Sequence, residues 1–484
     1  MQGVIVSSKG LKIMSEQLPQ FTDLNRRKLI ATLAAAWPAA FIPAGFLSSC
    51  KADDLPEPSL SGKVCVVGAG ASGIYAAAYL QKKGIEVVLI EASSRAGGRM
   101  ASDTSFCDFP LELGAEFMHG ARSVLYDLAL HQSQSSVTKV LGNPYYFFNQ
   151  VLRNEEYFLT SSALQGSGQT LLQIYDSLSN YTGTDLTLEQ YLLQFPTNQD
   201  LMEVANALIA NDYGSSLDRI GMYALREAEQ GYASGTTPYN LRDRSLISLF
   251  EDAFPQVISA IEFNTVLQGI EVNSEGVVLF CSGDKVIQAD RALLTVPITM
   301  LQNNSISFDP ALPADKIDAI QSIGMDAGVK VFLKCSNAFW ASDTASILGG
   351  SVIPEYWISS AGKNTNQFIL TGFVTGAKAE LLSALSDAEV RQNIVQELQL
   401  MFPQNDISGS VSDILIKRWL DEPFIRGAYS YPSSESTGKR NILARPEWGK
   451  LFFAGEACNI NGHQGTVHGA MESAIAACLE LMQS

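Results

Sequence analysis

The chain has 484 residues, of which 46% are hydrophobic and 17% charged, and its formal net charge is −17. This length predicts two or three domain-sized units, and the apolar content excludes a coiled coil, a collagen-like chain and a largely disordered scaffold. The acidic balance argues against a nucleic-acid-binding protein, which needs a basic face for phosphate, and favours cationic partners.

The first 49 residues have the layout of an export signal. A basic cluster from Asn25 to Lys28 precedes an uncharged run from Leu29 to Leu47, and the chain then reads Leu-Ser-Ser-Cys up to Cys50. This order of charge, apolar run and small residues is typical of exported proteins. The ending resembles a bacterial lipobox, whose Cys is acylated, and the paired arginines resemble a twin-arginine signal. We therefore expect a periplasmic or cell-surface protein, held to a bacterial membrane by a lipid on Cys50.

An uncleaved membrane anchor and simple secretion are the alternatives for this segment, and Met14 is an alternative start. Two prolines inside the apolar run favour cleavage over an anchor. Residues 50–61 are polar and interrupted by proline, as expected of a tether. The six cysteines after Cys50 show no CxxC or Cys/His spacing, so we predict neither a metal site nor a disulfide framework.

A nucleotide-binding unit follows the tether. Residues 64–67 predict a buried parallel strand, the next six residues form a complete GxGxxG turn, and an Ala-rich helix follows to about Lys83. A second strand is predicted over 86–90, with Glu91 at its carboxyl end. The glycines permit a pyrophosphate to approach the helix N-terminus, and Glu91 is placed to accept hydrogen bonds from ribose hydroxyls. The unit therefore predicts a bound dinucleotide.

Four further motifs resemble those of one enzyme family. They are Arg95-Ala-Gly-Gly-Arg99, Leu113-Gly-Ala-Glu116, Leu451-Phe-Phe-Ala-Gly-Glu456 and the helix start Gly465-Thr-Val-His-Gly-Ala470. Together with the GxGxxG unit they resemble the flavin-containing amine oxidases, over residues 62–484 but thinly between about 125 and 240. The resemblance implies an α/β fold, namely a two-dinucleotide-binding-domain flavoprotein with a discontinuous Rossmann-like FAD domain and a mixed sheet-plus-helix substrate domain.

The two implied domains interleave along the chain. The resemblance assigns residues 62–125, 240–300 and 415–484 to the FAD-binding domain, and residues 126–239 and 301–414 to the substrate-binding domain. Aromatic residues of the second domain, including Trp357 and Phe373, are expected either to fill its core or to line a tunnel.

The resemblance also implies which residues bind FAD. Arg99 would lie against the pyrophosphate and flavin, Glu456 would accept a hydrogen bond from the ribityl chain, and Val266 would lie on the adenine side. The implied set is Gly68, Gly70, Ala71, Ser72, Gly73, Glu91, Ala92, Gly98, Arg99, Gly114, Ala115, Glu116, Val266, Trp419, Gly455, Glu456, Thr466 and Val467. Ala428 stands where monoamine oxidases carry the Cys that links the flavin, so we expect non-covalent FAD.

Four residues are implied to act on the substrate. Lys330 matches the lysine that the family hydrogen-bonds through water to the flavin N5 atom. Tyr429 matches one wall of the aromatic cage, and Thr466 replaces the tyrosine of the opposite wall, which resembles the polyamine oxidase and histone demethylase branches. His119 falls where animal polyamine oxidases have a substrate-facing His.

The implied reaction is oxidation of an amine, either polyamine-like or another primary or secondary amine. Hydride would pass to the flavin N5 atom, giving an imine or aldehyde, and oxygen or a respiratory-chain acceptor would reoxidise the flavin, with hydrogen peroxide as the product from oxygen. The alternatives are an L-amino-acid oxidase, a desaturase-type relative of the same fold, and a non-catalytic FAD-binding surface protein. The sequence leaves the oligomeric state open.

Overall fold

A computed structural model describes residues 62–132, 135–160 and 167–484. The predicted export signal over 1–49, the tether over 50–61 and the acylation site Cys50 lie outside these residues, so the lipid anchor stays a prediction. Within the described ranges, none of the helices is both long and apolar enough to cross a bilayer.

The nucleotide-binding motif lies on a four-stranded parallel sheet. Its strands, in spatial order, are Glu86–Ile90, Lys63–Val67, Arg291–Leu294 and Leu451–Phe453. The strands are largely apolar and buried, as expected of parallel strands that are covered on both faces. The first two were predicted from the sequence, and the sheet joins them to distant parts of the chain.

Two helices cover one face of this sheet. Helix Ala71–Lys82 begins in the GxGxxG turn and packs against the C-terminal helix Val467–Gln483. The first helix is followed by Gly84, whose φ of 79° is a left-handed conformation that favours glycine. Thr466 caps the C-terminal helix, as predicted, because its hydroxyl accepts a hydrogen bond from the Gly469 N–H.

A second four-stranded sheet lies beside the parallel one. Strands Leu267–Val272, Val277–Cys281 and Lys285–Ala289 form an antiparallel meander, and Ser307–Asp309 pairs in parallel with the first of them. Val266 immediately precedes this meander, so the fold places it at the edge of the nucleotide-binding unit.

The largest sheet has seven strands and belongs to the other half of the molecule. Its strands, in spatial order, are Val411–Arg418, Gly328–Cys335, Phe368–Thr375, Glu355–Ile358, Thr344–Leu348, Asn143–Phe148 and Val151–Asn154. Strand Gly328–Cys335, which carries Lys330, is buried along nearly its whole length because it has a neighbour on each side. Strand Val411–Arg418 crosses the predicted domain boundary at residue 415 and pairs with this sheet.

Short strands and helices connect these sheets. Strand Pro238–Leu241 pairs with Met118–His119 and Val137–Lys139, Ser102–Asp103 pairs with Leu111–Glu112, and Gly324–Met325 pairs with Ser430–Tyr431. The other α-helices of the described residues are Val124–Asp127, Glu155–Thr160, Ser167–Ser177, Leu188–Leu192, Gln199–Ala205, Met222–Gly231, Leu246–Ala253, Pro255–Ser259, Ile298–Gln302, Ala314–Ser322, Gly376–Ser383, Asp387–Met401, Ile407–Ser410 and Lys439–Ala444. Single π or 3₁₀ turns occur at Leu128–Gln132, Leu178–Asn180, Asn206–Ala210, Trp419–Asp421 and Glu456–Cys458.

The cysteines behave as the sequence predicts for scattered core thiols. Those in the described residues are buried and free, and they are Cys65, Cys107, Cys281, Cys335, Cys458 and Cys478. Burial raises the pKa of the Cys65 thiol to about 12, so this group stays protonated and packs as a small apolar residue.

Two glycines of the GxGxxG turn provide a matched test of packing. A Cβ atom on Gly73 would lie 1.8 Å from the carbonyl oxygen of Gly68, whereas one on Gly70 would meet no atom within 4 Å. Because backbone cannot move aside cheaply, we expect Gly73→Ala to lower the free energy of unfolding by about 3 kcal/mol or more, and Gly70→Ala to change it by less than about 1 kcal/mol. Thermal unfolding without added nucleotide measures both changes. Equal losses would contradict the packing role of Gly73.

Candidate active site

A cavity of about 820 Å³ lies between the parallel sheet and the seven-stranded sheet. Its volume is at the upper end of the roughly 300–1,000 Å³ that is typical of ligand sites. One end, here called the nucleotide end, is lined by Gly70, Glu91 and Val266. The other end, here called the inner chamber, lies against the face of the seven-stranded sheet that carries Lys330 and Glu355.

At the nucleotide end, Glu91 is fixed beside the glycine-rich turn. One carboxylate oxygen accepts a hydrogen bond from the Ala69 N–H at 2.7 Å, and the other accepts from the N–H and hydroxyl of Ser93 at 2.9 and 2.8 Å. Gly70 has open space where a Cβ atom would stand, and a Cβ on Gly98 would come only 3.5 Å from the Gly70 Cα. The open backbone and the N-terminus of the following helix suit a phosphate group.

Glu456 is buried in the cavity wall and is hydrogen-bonded through both carboxylate oxygens. Its Oε1 atom accepts from the Arg99 guanidinium at 2.8 Å and from the Ser430 N–H at 3.1 Å. Its Oε2 atom accepts from the Ser430 hydroxyl at 2.6 Å and from the Gly465 N–H at 2.8 Å. Burial alone would raise the pKa of Glu456, but the charges of Arg99 and Arg440 outweigh burial and hold this pKa below its usual value.

The structure gives Glu456 a role in organising the cavity wall. A carboxylate offers about four acceptor positions, and those of Glu456 are all used within the protein. Its implied role as an acceptor for the ribityl chain stays a prediction.

In the inner chamber, Lys330 forms a buried ion pair with Glu116. The Lys330 Nζ atom lies 2.7 Å from Glu116 Oε2 and donates to the carbonyl oxygen of Glu112 at 2.9 Å. Glu116 Oε1 accepts from the Trp357 indole N–H and from the Ser359 hydroxyl, both at 3.1 Å. Glu116 lines the cavity with its carboxylate directed to Lys330, Trp357 and Ser359, and the contact with FAD that the resemblance implies stays a prediction.

Aromatic side chains line the inner chamber beside this pair. Trp357 and Phe373 have ring centroids 5.8 Å apart, and both line the cavity. Tyr356 precedes Trp357 in the same strand but points into the core, where its hydroxyl donates to Glu397 at 2.8 Å. The aromatic residues of these strands therefore include both core residues and cavity-lining residues, because successive side chains of a strand face opposite sides of a sheet.

Carboxylates beyond Glu116 also line the inner chamber. They are Glu155, Asp212 and Glu355. Tyr146 donates a long hydrogen bond of 3.5 Å to Glu155, and burial raises the pKa of Glu155 in spite of that bond. These carboxyl groups are a part of the cavity lining that sequence reasoning did not identify.

Tyr429 and Thr466 line the cavity near the flavin-binding motifs. The Tyr429 hydroxyl donates to the carbonyl oxygens of Asn211 and Asp212 at 3.3 and 3.0 Å, which fixes its ring. The Thr466 hydroxyl donates to the His463 carbonyl at 2.6 Å while it caps the last helix. Its hydrogen bonds are therefore made within the protein.

The histidines are placed differently from one another. His119 lines the cavity, and His468 is buried in the C-terminal helix. His463 accepts hydrogen bonds from the N–H groups of Ala233 and Ser234 at Nε2, so its Nδ1 carries the proton shared with Glu472 at 2.8 Å.

His463, His468 and Glu472 lie close enough together to be considered as metal ligands. Both ring nitrogens of His463 are already hydrogen-bonded, which leaves no lone pair for a metal. We assign this group to the structure of the turn that precedes the last helix.

The structure brings nearly all of the predicted site residues to one cavity. Its lining includes Lys330, Tyr429, His119 and Thr466, and also Gly68, Gly70, Ala71, Ser72, Glu91, Ala92, Gly98, Arg99, Gly114, Ala115, Glu116, Val266, Trp419, Gly455, Glu456 and Val467. Gly73 is the exception, since it packs under the turn against the Gly68 carbonyl. The lining fixes where these residues are, and their individual roles stay predictions.

Comparison with known proteins agrees with this geometry. The sequence model of flavin-containing amine oxidoreductases matches residues 71–482. The chain belongs to this family. It is 25% identical over 475 residues to a probable polyamine oxidase 4 of Arabidopsis thaliana, covering 88% of this chain and 90% of the relative. It is 26% identical over 458 residues to polyamine oxidase 1 of Zea mays, covering 85% and 89%.

Solved structures of amine oxidases share the fold. A putrescine oxidase bound to putrescine has a TM-score of 0.75 at 19% identity, covering 88% of this chain and 100% of that one. A cyclohexylamine oxidase from Brevibacterium oxydans has a TM-score of 0.72 at 19% identity, covering 87% and 100%. These likenesses establish the two-domain flavoprotein fold that the sequence predicted.

Membership of the flavin-containing amine oxidoreductases implies a flavin cofactor, and the nucleotide end fits FAD. The backbone at Gly70 is open where a pyrophosphate would pass, and Glu91 lies where ribose hydroxyls would reach it. Arg99 and the start of the last helix line the continuation of the cavity towards Lys330. We expect these groups to hold FAD, with its reactive ring between the two ends.

Glu112, which sequence reasoning missed, is expected to make the free energy of unfolding depend on pH. Burial raises its pKa to about 8, against the hydrogen bond from the Leu246 N–H and the nearby Lys330. The folded protein then binds one proton more than the unfolded chain between about pH 5 and 8, so this group lowers stability as the pH rises through that window.

We expect Glu112→Gln to remove this loss, because the amide imitates the protonated acid and still accepts from Leu246. Relative to wild type, the free energy of unfolding of the variant should rise by about 1.4 kcal/mol for each pH unit in the window. Urea unfolding at pH 5.5, 6.5 and 7.5 with saturating FAD measures the gain. Parallel pH profiles would mean that Glu112 is already ionised in the folded protein.

Proposed function

We propose that this protein is an FAD-dependent oxidase of amines whose substrates carry a second cationic nitrogen, such as diamines and polyamines. The observation that carries the proposal is the continuity of one cavity from the nucleotide end to an inner chamber lined by carboxylates and aromatic rings. Membership of the flavin-containing amine oxidoreductases indicates that the reaction is oxidation of an amine. The carboxylates and aromatic rings of the inner chamber are the argument for a substrate with a second cationic nitrogen.

A row of side chains crosses the floor of the inner chamber and sets its length. Strand pairing aligns Lys330 with Phe373, Phe373 with Glu355, Glu355 with Leu348, and Leu348 with Tyr146. All five line the cavity. Since neighbouring strands are about 4.8 Å apart, Glu355 lies about 10 Å from Lys330 along this row.

This spacing supports binding of an extended amine. A carbon chain of several methylene groups would lie along the apolar row while its distal ammonium group meets Glu355. Glu155 and Asp212 would receive further cationic nitrogens of a longer polyamine. A buried carboxylate attracts a cation strongly because little water screens the charge.

The reacting nitrogen would sit at the other end of the row. When bound, FAD would take a hydride from the carbon next to the neutral amine, and the resulting imine would hydrolyse to an aldehyde, with oxygen giving hydrogen peroxide. Tyr429 would hold the substrate by its fixed ring, and the Thr466 side would leave room for it. The enclosed walls would exclude water from the reacting carbon.

The lining disfavours the competing functions. An L-amino-acid oxidase needs a cation that can pair with the substrate carboxylate, whereas the chamber's Lys330 is paired with Glu116, and Arg99 with Glu456. A desaturase acting on an apolar chain would not place several carboxylates in the chamber. The cavity and the intact motifs also favour turnover over FAD binding alone.

We also propose that the FAD is not covalently attached. Ala428 lies at the position where monoamine oxidases carry their linking Cys, and none of the six described cysteines is among the residues that line the main cavity. Acid precipitation should then release all the flavin into the supernatant.

The first test is the absorption spectrum of the purified FAD-loaded protein, mixed without oxygen with putrescine, spermidine, simple monoamines and L-amino acids. We expect diamines or polyamines to bleach the flavin band, and a subsequent pulse of oxygen to restore it with formation of peroxide. A flavin band that no amine bleaches would refute the proposed function.

Glu355→Gln tests the substrate class. Loss of a charge-assisted contact worth about 1.5–3 kcal/mol should lower kcat/KM for diamines by about 10- to 100-fold and leave monoamines nearly unchanged. Glu275→Gln, at an exposed strand-connecting turn, is the matched control and should change neither. An equal fall for monoamines and diamines would contradict the distal role of Glu355.

We propose in addition that the protein is exported and lipid-anchored through Cys50. The support is the basic cluster, the apolar run and the Leu-Ser-Ser-Cys ending of the sequence. Cys50→Ser should abolish fatty-acid labelling and shift the protein from the membrane to the soluble periplasmic fraction. Unchanged labelling would exclude Cys50 as the acylation site.

A further inference from the structure

The Glu116–Lys330 pair joins two residues that are 214 positions apart in the chain. The side chain of Lys330 is 4% exposed and that of Glu116 is 8% exposed. We infer that Glu116 is a positioning residue, which holds the Lys330 ammonium group in a fixed place in the inner chamber.

Hydrogen-bond acceptors surround the Lys330 ammonium group. Its Nζ atom donates to the Glu116 carboxylate and to the Glu112 carbonyl, and the Trp357 ring lies 4.9 Å away. An ammonium group has three hydrogens, so one further hydrogen bond is left for the cavity. A buried ammonium without a counter-ion would be strongly destabilising, and the carboxylate at 2.7 Å compensates its charge.

Glu116 is itself anchored on the side away from Lys330. Its Oε1 atom accepts from Trp357 and Ser359, and the Ser359 hydroxyl is 2.7 Å from the hydroxyl of Thr371. These donors come from the neighbouring strands of the seven-stranded sheet and its adjoining loop. These contacts hold the Glu116 carboxylate in place, and the ion pair in turn fixes the position of the Lys330 ammonium group.

The pair has a consequence for the amine oxidation proposed above, on which this part of the inference rests. The opposite charges of Glu116 and Lys330 cancel at a distance, so the pair does not repel a substrate that carries a second ammonium group.

A double-mutant cycle on thermal unfolding tests the pair without any substrate. Glu116→Gln and Lys330→Met each leave a buried charge uncompensated, so each should lower the Tm by about 5 °C or more. The Glu116→Gln/Lys330→Met double variant should unfold above either single variant, because it leaves no unpaired charge. Additive losses in the double variant would overturn the inference.

Lys378 and Glu203 supply a matched control. Lys378 also donates to a carboxylate and to a backbone carbonyl, but the two side chains are 24% and 20% exposed. Water can solvate either partner when the other is removed, so Glu203→Gln and Lys378→Met should show little coupling. A coupling as large as that of the buried pair would mean that the cycle does not report burial.

The midpoint potential of the bound flavin gives a second measurement. In Glu116→Gln the positive charge of Lys330 is uncompensated, so reduction of the flavin should be favoured more than tenfold, about 30 mV for a two-electron couple. Glu116→Asp, which keeps the carboxylate, should keep the wild-type potential.

Other titratable groups surround the pair, and the variants separate their effects. Burial raises the pKa of Glu112 and lowers that of Lys363, and Glu355 lies further along the same row of the sheet. A shift of the potential caused by these groups would persist in the Glu116→Gln/Lys330→Met variant. A shift that persists there would overturn the assignment to Lys330.

The outcomes are distinguishable from failure of the proposed function. If the unfolding cycle and the potentials behave as expected but no amine bleaches the flavin, the ion pair stands and the substrate proposal falls. If amines are oxidised while Glu116→Gln behaves like wild type in both measurements, the positioning role of Glu116 falls.

Discussion

The buried carboxylate of Glu456 is the interaction on which the cavity depends. It draws together Arg99, Ser430 and Gly465, which lie on three separate segments of the chain. Arg440 supports the same point, since its guanidinium donates to the Ser430 hydroxyl at 2.8 Å. A buried charge tolerates few arrangements, so one residue fixes the relative positions of the walls around the cofactor site.

The inner chamber uses the same principle with a different result. There Glu116 and Lys330 are paired, and the carboxyl groups of Glu155, Asp212 and Glu355 also line the chamber. The nucleotide end presents open glycine backbone and the start of a helix, whereas the inner chamber presents carboxyl groups and aromatic rings. The two ends of one cavity therefore differ in chemistry.

The sequence was informative where structure depends on local chemistry. The GxGxxG turn, the strands at 63–67 and 86–90 and the Thr466 cap follow from short motifs, and resemblance located the rest of the fold. The Glu116–Lys330 pair and the row from Lys330 to Tyr146 could not be predicted in this way. They depend on the register of five strands, and a strand's register is set by tertiary packing over the whole sheet.

The strand order of the parallel sheet has a consequence for biosynthesis. Its central strand Lys63–Val67 is made early, whereas the edge strand Leu451–Phe453 and the helix Val467–Gln483 that packs on Ala71–Lys82 are made much later. The wall containing Glu456 and Gly465 therefore cannot form while only the earlier residues have been synthesised. Completion of the cavity, and binding of the cofactor in it, must follow synthesis of this late segment.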